Sequence, residues 1–133
     1  MDTNIWFSVF YGSDNCRNII ELHAQKKIEV VVSRLVVQEL TQNLGSKYPQ
    51  GLKLAADFFY KFPPEMAEDC FEIDRKLKNL ADLKDLPILL SAYSAKVEYF
   101  VTGNIKDFAV KNIFDKLKIK VITPKDFVKL FHL

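Results

Sequence analysis

The sequence has little that would staple, break or anchor a chain. It holds two cysteines in 133 residues. Cys16 and Cys70 stand far apart with no second thiol near either, which excludes a zinc cysteine pair and a dithiol redox motif. Four glycines and five prolines exclude collagen-like and linker-like sequence. No apolar run reaches the ~20 residues of a membrane span, and the first residues lack the basic-then-apolar pattern of a secretory leader. Glycine-rich phosphate loops of the dinucleotide and P-loop kinds are missing, as is a Gly-x-Ser-x-Gly elbow. His23 and His132 have no Ser or Cys arranged with them as a triad. His23 reads as a partly buried packing residue, and His132 as part of a frayed terminus. The expectation is a cytoplasmic protein with free thiols and no membrane span.

What is present is an ordinary globular mixture, 49% apolar and 27% charged, with no repeat and no low-complexity stretch. One domain over residues 1–133 is expected, large enough to bury roughly two thirds of its unfolded surface without a disulfide. Net charge is only +2, but its distribution is uneven. Residues 1–103 carry 12 basic and 14 acidic side chains, whereas residues 104–133 carry seven lysines against three aspartates. A solvated lysine face would explain this asymmetry, and so would a surface that attracts the phosphates of a nucleic acid.

Local patterns alternate between helix and strand. Residues 4–11 read as a short helix capped at Asp2 or Thr3, and residues 15–25 as a second. The β-branched run 28–32 reads as a buried strand. Ser33 caps a helix through Leu44 that Gly45 can end in the left-handed conformation. Pro49 opens a helix that stops before Pro63, and a short strand is expected at 70–73. Asp85, with Pro87 in the first turn, starts a helix to about Lys96. Strand 98–102, helix 106–117, strand 119–123 and a last helix from Pro124 follow. Strands separated by helices imply crossover connections and a mostly parallel α/β sheet. In the helix that Pro49 opens, Phe58, Phe59 and Tyr60 cannot all face one side, so one ring is expected at a rim or a partner surface.

In a parallel sheet, function gathers at the carboxyl ends of the strands. Acidic residues from distant segments fall there. Asp2 and Asp85 also suit helix caps. Glu39 borders the apolar stripe of its helix, beside Leu40, where a carboxylate either reaches solvent or turns into a polar site. Gly103, Asn104 and Asp107 follow the strand at 98–102, where turn chemistry alone could account for them. Carboxylates brought together repel, so a cluster needs a cation. Oxygen-only ligands suit a hard divalent ion, Mg²⁺ or Mn²⁺, which at a phosphodiester can activate water and stabilise the leaving oxygen.

These residues carry a resemblance. Asp2-Thr3-Asn4-Ile5, Ser33-x-x-Val36-x-x-Glu39-Leu40, Asp82-Leu-Lys-Asp85-x-Pro-Ile-Leu and Tyr99-Phe-Val-Thr102-Gly103-Asn104-Ile-Lys-Asp107-Phe108 resemble the motifs of the PIN domain, in order and over nearly the whole chain. The chain is similar to the small bacterial and archaeal PIN proteins that act as toxins of toxin–antitoxin pairs. The resemblance implies a three-layer α/β/α fold around a central parallel sheet and a metal-dependent endoribonuclease. It carries the family's acids onto Asp2, Glu39 and Asp85, with the fourth on Asn104 or Asp107. Thr3, Asn4 and Thr102 match polar positions that border the metal site. An RNA substrate, an antitoxin protein and a homodimer are implied as partners, with Lys106, Lys111 and Lys125 as candidates for the RNA backbone. Two departures stand out. The family has an apolar strand leading into its first Asp, where this chain has Met1 alone, so the first strand looks truncated. Asn104 stands where many relatives have Asp. Both favour a second reading, a catalytically inactive PIN-like module that binds RNA or a protein.

Overall fold

The structure is a computed structural model and describes residues 6, 8–10, 14–68 and 77–131. Trp6 and residues 8–10 are helical. The elements that follow are α1 (Asp14–Ala24), β1 (Val31–Ser33), α2 (Arg34–Lys47), α3 (Gln50–Lys61), β2 (Glu65–Ala67), α4 (Leu86–Ser94), β3 (Tyr99–Val101), a 3-10 turn (Ile105–Asp107), α5 (Val110–Leu117), β4 (Lys120–Ile122) and α6 (Pro124–Lys129).

The alternation gives the expected α/β class with parallel pairing. β1 pairs with β2 in register Val31 to Glu65, and β3 pairs with β4 in register Tyr99 to Lys120. Among the described residues these are two separate two-stranded sheets. Helices cover them: α4 lies on β1 and β2, α5 on β4, and α1 packs against α6. One core runs through the whole, with Val32, Leu40, Leu86, Leu89, Phe100, Ile113 and Val121 all essentially removed from solvent. Burial of each such side chain is worth about 1.5–3 kcal/mol.

Local chemistry explains most boundaries. The Ser33 hydroxyl accepts from the Val36 N–H at 3.2 Å, the cap expected for α2. Thr123 caps α6 the same way through the Asp126 N–H, with Pro124 in the first turn. Three helix exits use a lysine with positive φ: Lys26 at 62°, Lys96 at 60° and Lys118 at 59°. After α1 and α4 the two hydrogen bonds of a Schellman ending are both made, Lys27 N–H to Leu22 O with Lys26 N–H to His23 O, and Val97 N–H to Ala92 O with Lys96 N–H to Tyr93 O.

Several expectations are corrected. Helix α2 does not end at Gly45; it runs to Lys47, because Leu44 seals against the core and the Tyr48 N–H closes on the Leu44 carbonyl at 2.9 Å. The first strand lies at Val31–Ser33 rather than 28–32, where its partner Glu65–Ala67 begins. That partner strand had no sequence signal, and the expected strand at 70–73 lies outside the described residues. The expected helix 106–117 is broken. Phe108 is extended and bridges Ala81, and the Ala109 N–H donates to the Leu80 carbonyl at 2.8 Å, so the helix restarts at Val110. Asp107 therefore does not cap it, and Asp85, although at the N-cap of α4, makes no side-chain cap bond. Phe58 and Phe59 pack around Trp6 and Phe10, leaving Tyr60 as the exposed ring.

Candidate metal centre

Two segments far apart in sequence build the site. The first is the turn before α4, in which the Asp85 and Leu86 N–H groups both donate to the Asp82 carbonyl at 2.9 Å. That turn sets Asp82 and Asp85 three residues apart on one side. The second is the exit from β3. Thr102 is fully buried, its N–H paired with the Ile122 carbonyl at 3.0 Å. Its hydroxyl accepts from the Asn104 N–H at 3.1 Å. The Asp107 N–H then donates to the Asn104 carbonyl at 2.9 Å, closing the 3-10 turn that carries Asp107.

The bridge between Ala81 and Phe108 ties the two segments side by side. As a result the carboxylates of Asp82, Asp85 and Asp107 converge, with one oxygen from each within 4.8 Å of the others. Asp85 and Asp107 are half-buried and Asp82 is exposed. At that separation each pair of charges repels by roughly 1 kcal/mol in water and about 3.5 kcal/mol at the effective dielectric of a protein surface. A divalent cation offsets this, and the donors are of one kind, carboxylate oxygen, which fits a hard ion such as Mg²⁺ or Mn²⁺.

Of the residues expected at the site, Asp85 and Asp107 are therefore brought together. Glu39, half-buried on α2 next to the buried Leu40, stands outside the group of three. Asn104 is exposed at the turn beside it, and Thr102 supports that turn from the core. Asp2, Thr3 and Asn4 lie outside the described residues. Asp82 was not among the residues expected in this group. Its signal was in the motif, since an Asp three residues before Asp85 shares its turn.

Lys106, Lys111 and Lys125 are all exposed. Lys106 is on the same 3-10 turn as Asp107. Lys125 leaves the carboxyl end of β4, which lies level with the carboxyl end of β3 through the Val101 to Ile122 register. Lys111 is in the first turn of α5, the end nearest the site. All three thus lie on segments that follow the carboxyl ends of the β3–β4 ladder, the end that carries the acids.

Comparison with known families agrees with this geometry: the model of the PIN domain matches residues 1–106. Comparisons with curated proteins and with solved structures return no match. The family match runs from the first residue through Asp82 and Asp85 to Lys106, one residue before Asp107 and well over half of the sequence, and the chain belongs to the PIN-domain family.

Proposed function

We propose that this chain is a metal-dependent endoribonuclease that hydrolyses RNA phosphodiesters, and that it is the cytoplasmic toxin half of a toxin–antitoxin pair. The observation that carries the reading is the convergence of Asp82, Asp85 and Asp107 at the carboxyl end of β3, in a chain of a nuclease-type family. These three carboxylates would hold Mg²⁺ or Mn²⁺, with Asp2 and Glu39 carried to the site by the family resemblance. Held by these carboxylates, a divalent ion would supply Lewis-acid polarisation of the phosphodiester and a lowered pKa for bound water. Asp107 sits on the turn beside Asn104, so either side chain can orient the attacking water through a hydrogen bond. The Thr102 hydroxyl fixes the turn that presents both. Lys106, Lys111 and Lys125 would hold the phosphates on either side of the scissile bond. An antitoxin protein and a second copy of the chain complete the proposed set of partners.

A second reading is favoured by Asn104, which offers a neutral oxygen where an acid would add charge: an inactive module that binds RNA without cutting it. One experiment separates the two. Purified protein, Asp85→Asn and Asp82→Asn are incubated with a mixed set of structured RNAs in EDTA, Mg²⁺ or Mn²⁺, and each is melted with and without metal. The enzyme reading expects metal-dependent cleavage that falls by about 100-fold or more in Asp85→Asn. It also expects a metal-induced rise in Tm that both variants lose, an ion at 100 times its Kd adding about 2.7 kcal/mol. Undiminished cleavage by Asp85→Asn overturns the site. RNA binding without cleavage or metal response establishes the inactive module.

A further inference from the structure

The exit of α1, the end of α3 and the start of β1 meet at one imidazole. Nδ1 of His23 accepts the Val30 N–H at 3.1 Å, and its Nε2 lies 3.1 Å from the Phe62 carbonyl. An amide N–H only donates and a carbonyl oxygen only accepts, so the two partners together demand a bare Nδ1 and a proton on Nε2. Val30 in turn offers its carbonyl to the Glu65 N–H at 3.0 Å, beside the first paired residues of β1 and β2. One ring nitrogen thus holds the residue from which the β1–β2 ladder starts. Val30 is buried, so its N–H is poorly placed to exchange the ring for water. The Phe62 contact lies at the surface, where water can take its place.

The charges around the ring leave its state to these hydrogen bonds. Glu21, Lys26 and Lys27 belong to α1 and its exit, Glu29 precedes Val30, Asp57 and Lys61 come from α3, and Glu65 begins β2. Helix α6, which also packs on α1, carries Lys125, Asp126 and Lys129. All of these side chains are exposed, and none pairs with the ring among the described residues. In this position an imidazolium has no carboxylate partner to offset the acceptor that it loses.

We propose that His23 is a proton-operated latch on the amino end of the β1–β2 ladder. The latch is closed while the ring is neutral. When the Val30 bond opens transiently, the freed lone pair of Nδ1 takes a proton from solvent. The imidazolium donates at both nitrogens and cannot accept the Val30 N–H again. Imidazole is the side chain whose charge changes between about pH 5 and 8, so acidification moves the joint from closed to open and return to neutral pH closes it. What is released is the start of β1, which runs directly into Ser33 and helix α2. The β3–β4 ladder makes none of these bonds and stays paired.

The intact chain is titrated by NMR from about pH 7.5 to about pH 5, following the ring nitrogens of His23 and the exchange of single amides, each relative to its intrinsic rate at that pH. The expected result is that Nδ1 is bare at the upper end and protonated at the lower. Protection at Val30 and Glu65 falls about tenfold or more with the same midpoint as the ring, while protection at Thr102, paired with Ile122 in the other ladder, holds. His23→Asn keeps an oxygen that can accept the Val30 N–H but has nothing to titrate, and it is expected to abolish the pH response. Unchanged protection at Val30 or Glu65 while the ring protonates overturns the proposal. A fall at Thr102 in parallel also overturns it, because the whole protein is then unfolding. So does an equal fall in His23→Asn, which would assign the response to the carboxylates nearby.

Discussion

His23 shows how much one side chain can hold together. It sits near the end of α1, where its Nδ1 accepts the Val30 N–H at 3.1 Å and its Nε2 lies 3.1 Å from the Phe62 carbonyl. An acceptor at Nδ1 and a donor at Nε2 define the neutral Nε2–H tautomer. The ring therefore ties the exit of α1, the entry to β1 and the end of α3, and it also contacts Phe58 at 6.1 Å. His23→Ala removes both hydrogen bonds and should cost about 1–3 kcal/mol in urea denaturation, with Asp85→Asn, which lies outside this knot, as the reference. A loss below about 0.5 kcal/mol would show that the two hydrogen bonds are replaced by water. Position on the apolar side of α1 was readable from the sequence, but the two partners were not, since they lie 7 and 39 residues away. The same limit applied to Asp82: the motif places it on the turn with Asp85, but only the fold shows that this turn closes against Asp107.

Helices α2 and α3 meet at a point where two glycines have opposite meanings. Gly45 is exposed within α2, and a Cβ there would meet nothing nearer than a Leu52 methyl at 3.9 Å. Gly51 is buried in the first turn of α3, and a Cβ there would come within 2.8 Å of Leu44 and 2.9 Å of Tyr48. Leu44 is fully buried and cannot step aside. Gly45→Ala is therefore expected to raise stability by about 0.5–1 kcal/mol through helix propensity. Gly51→Ala is expected to lower it, since overpacking costs roughly 1–3 kcal/mol and exceeds the same propensity gain. Equal effects of the two in thermal melts would refute the close approach. At this scale helices were legible to within a few residues, because capping and apolar periodicity are local: Ser33, Pro49, Pro87 and Pro124 all mark real helix starts. Strands were less so. Glu65-Met66-Ala67 has no β-branched residue and follows two prolines, and it becomes a strand only because β1 offers it hydrogen bonds. The left-handed lysines were also hidden, since the ordinary signal for such a helix exit is glycine.

Across the whole molecule the lysine-rich last quarter is divided by the fold. Lys106, Lys111 and Lys125 stand at the carboxyl end of the β3–β4 ladder with the three aspartates, whereas Lys116, Lys118 and Lys120 surround the exit of α5 and the start of β4, at its amino end. If the first three contact single-stranded RNA, the slope of log affinity against log salt should be about −2, and each Lys→Ala there should flatten it by roughly 0.7. Replacement of Lys116, Lys118 or Lys120 should leave the slope unchanged in filter-binding titrations. The reverse assignment would move the RNA path to the far edge. The single bridge from Ala81 to Phe108, with the Ala109 to Leu80 hydrogen bond beside it, is the clasp on which the acidic group depends. Neither ladder contains it, so the clasp can part in a local opening that leaves both ladders paired. In such an open form Asp82 and Asp85 would separate from Asp107 and their mutual repulsion would be relieved, so without an ion the charge of the group favours opening. An ion that needs all three oxygens binds only the closed form, so its affinity already includes the work of closing the loop. If the proposed ion binds there, metal concentration would set how much of the protein carries an assembled site at all.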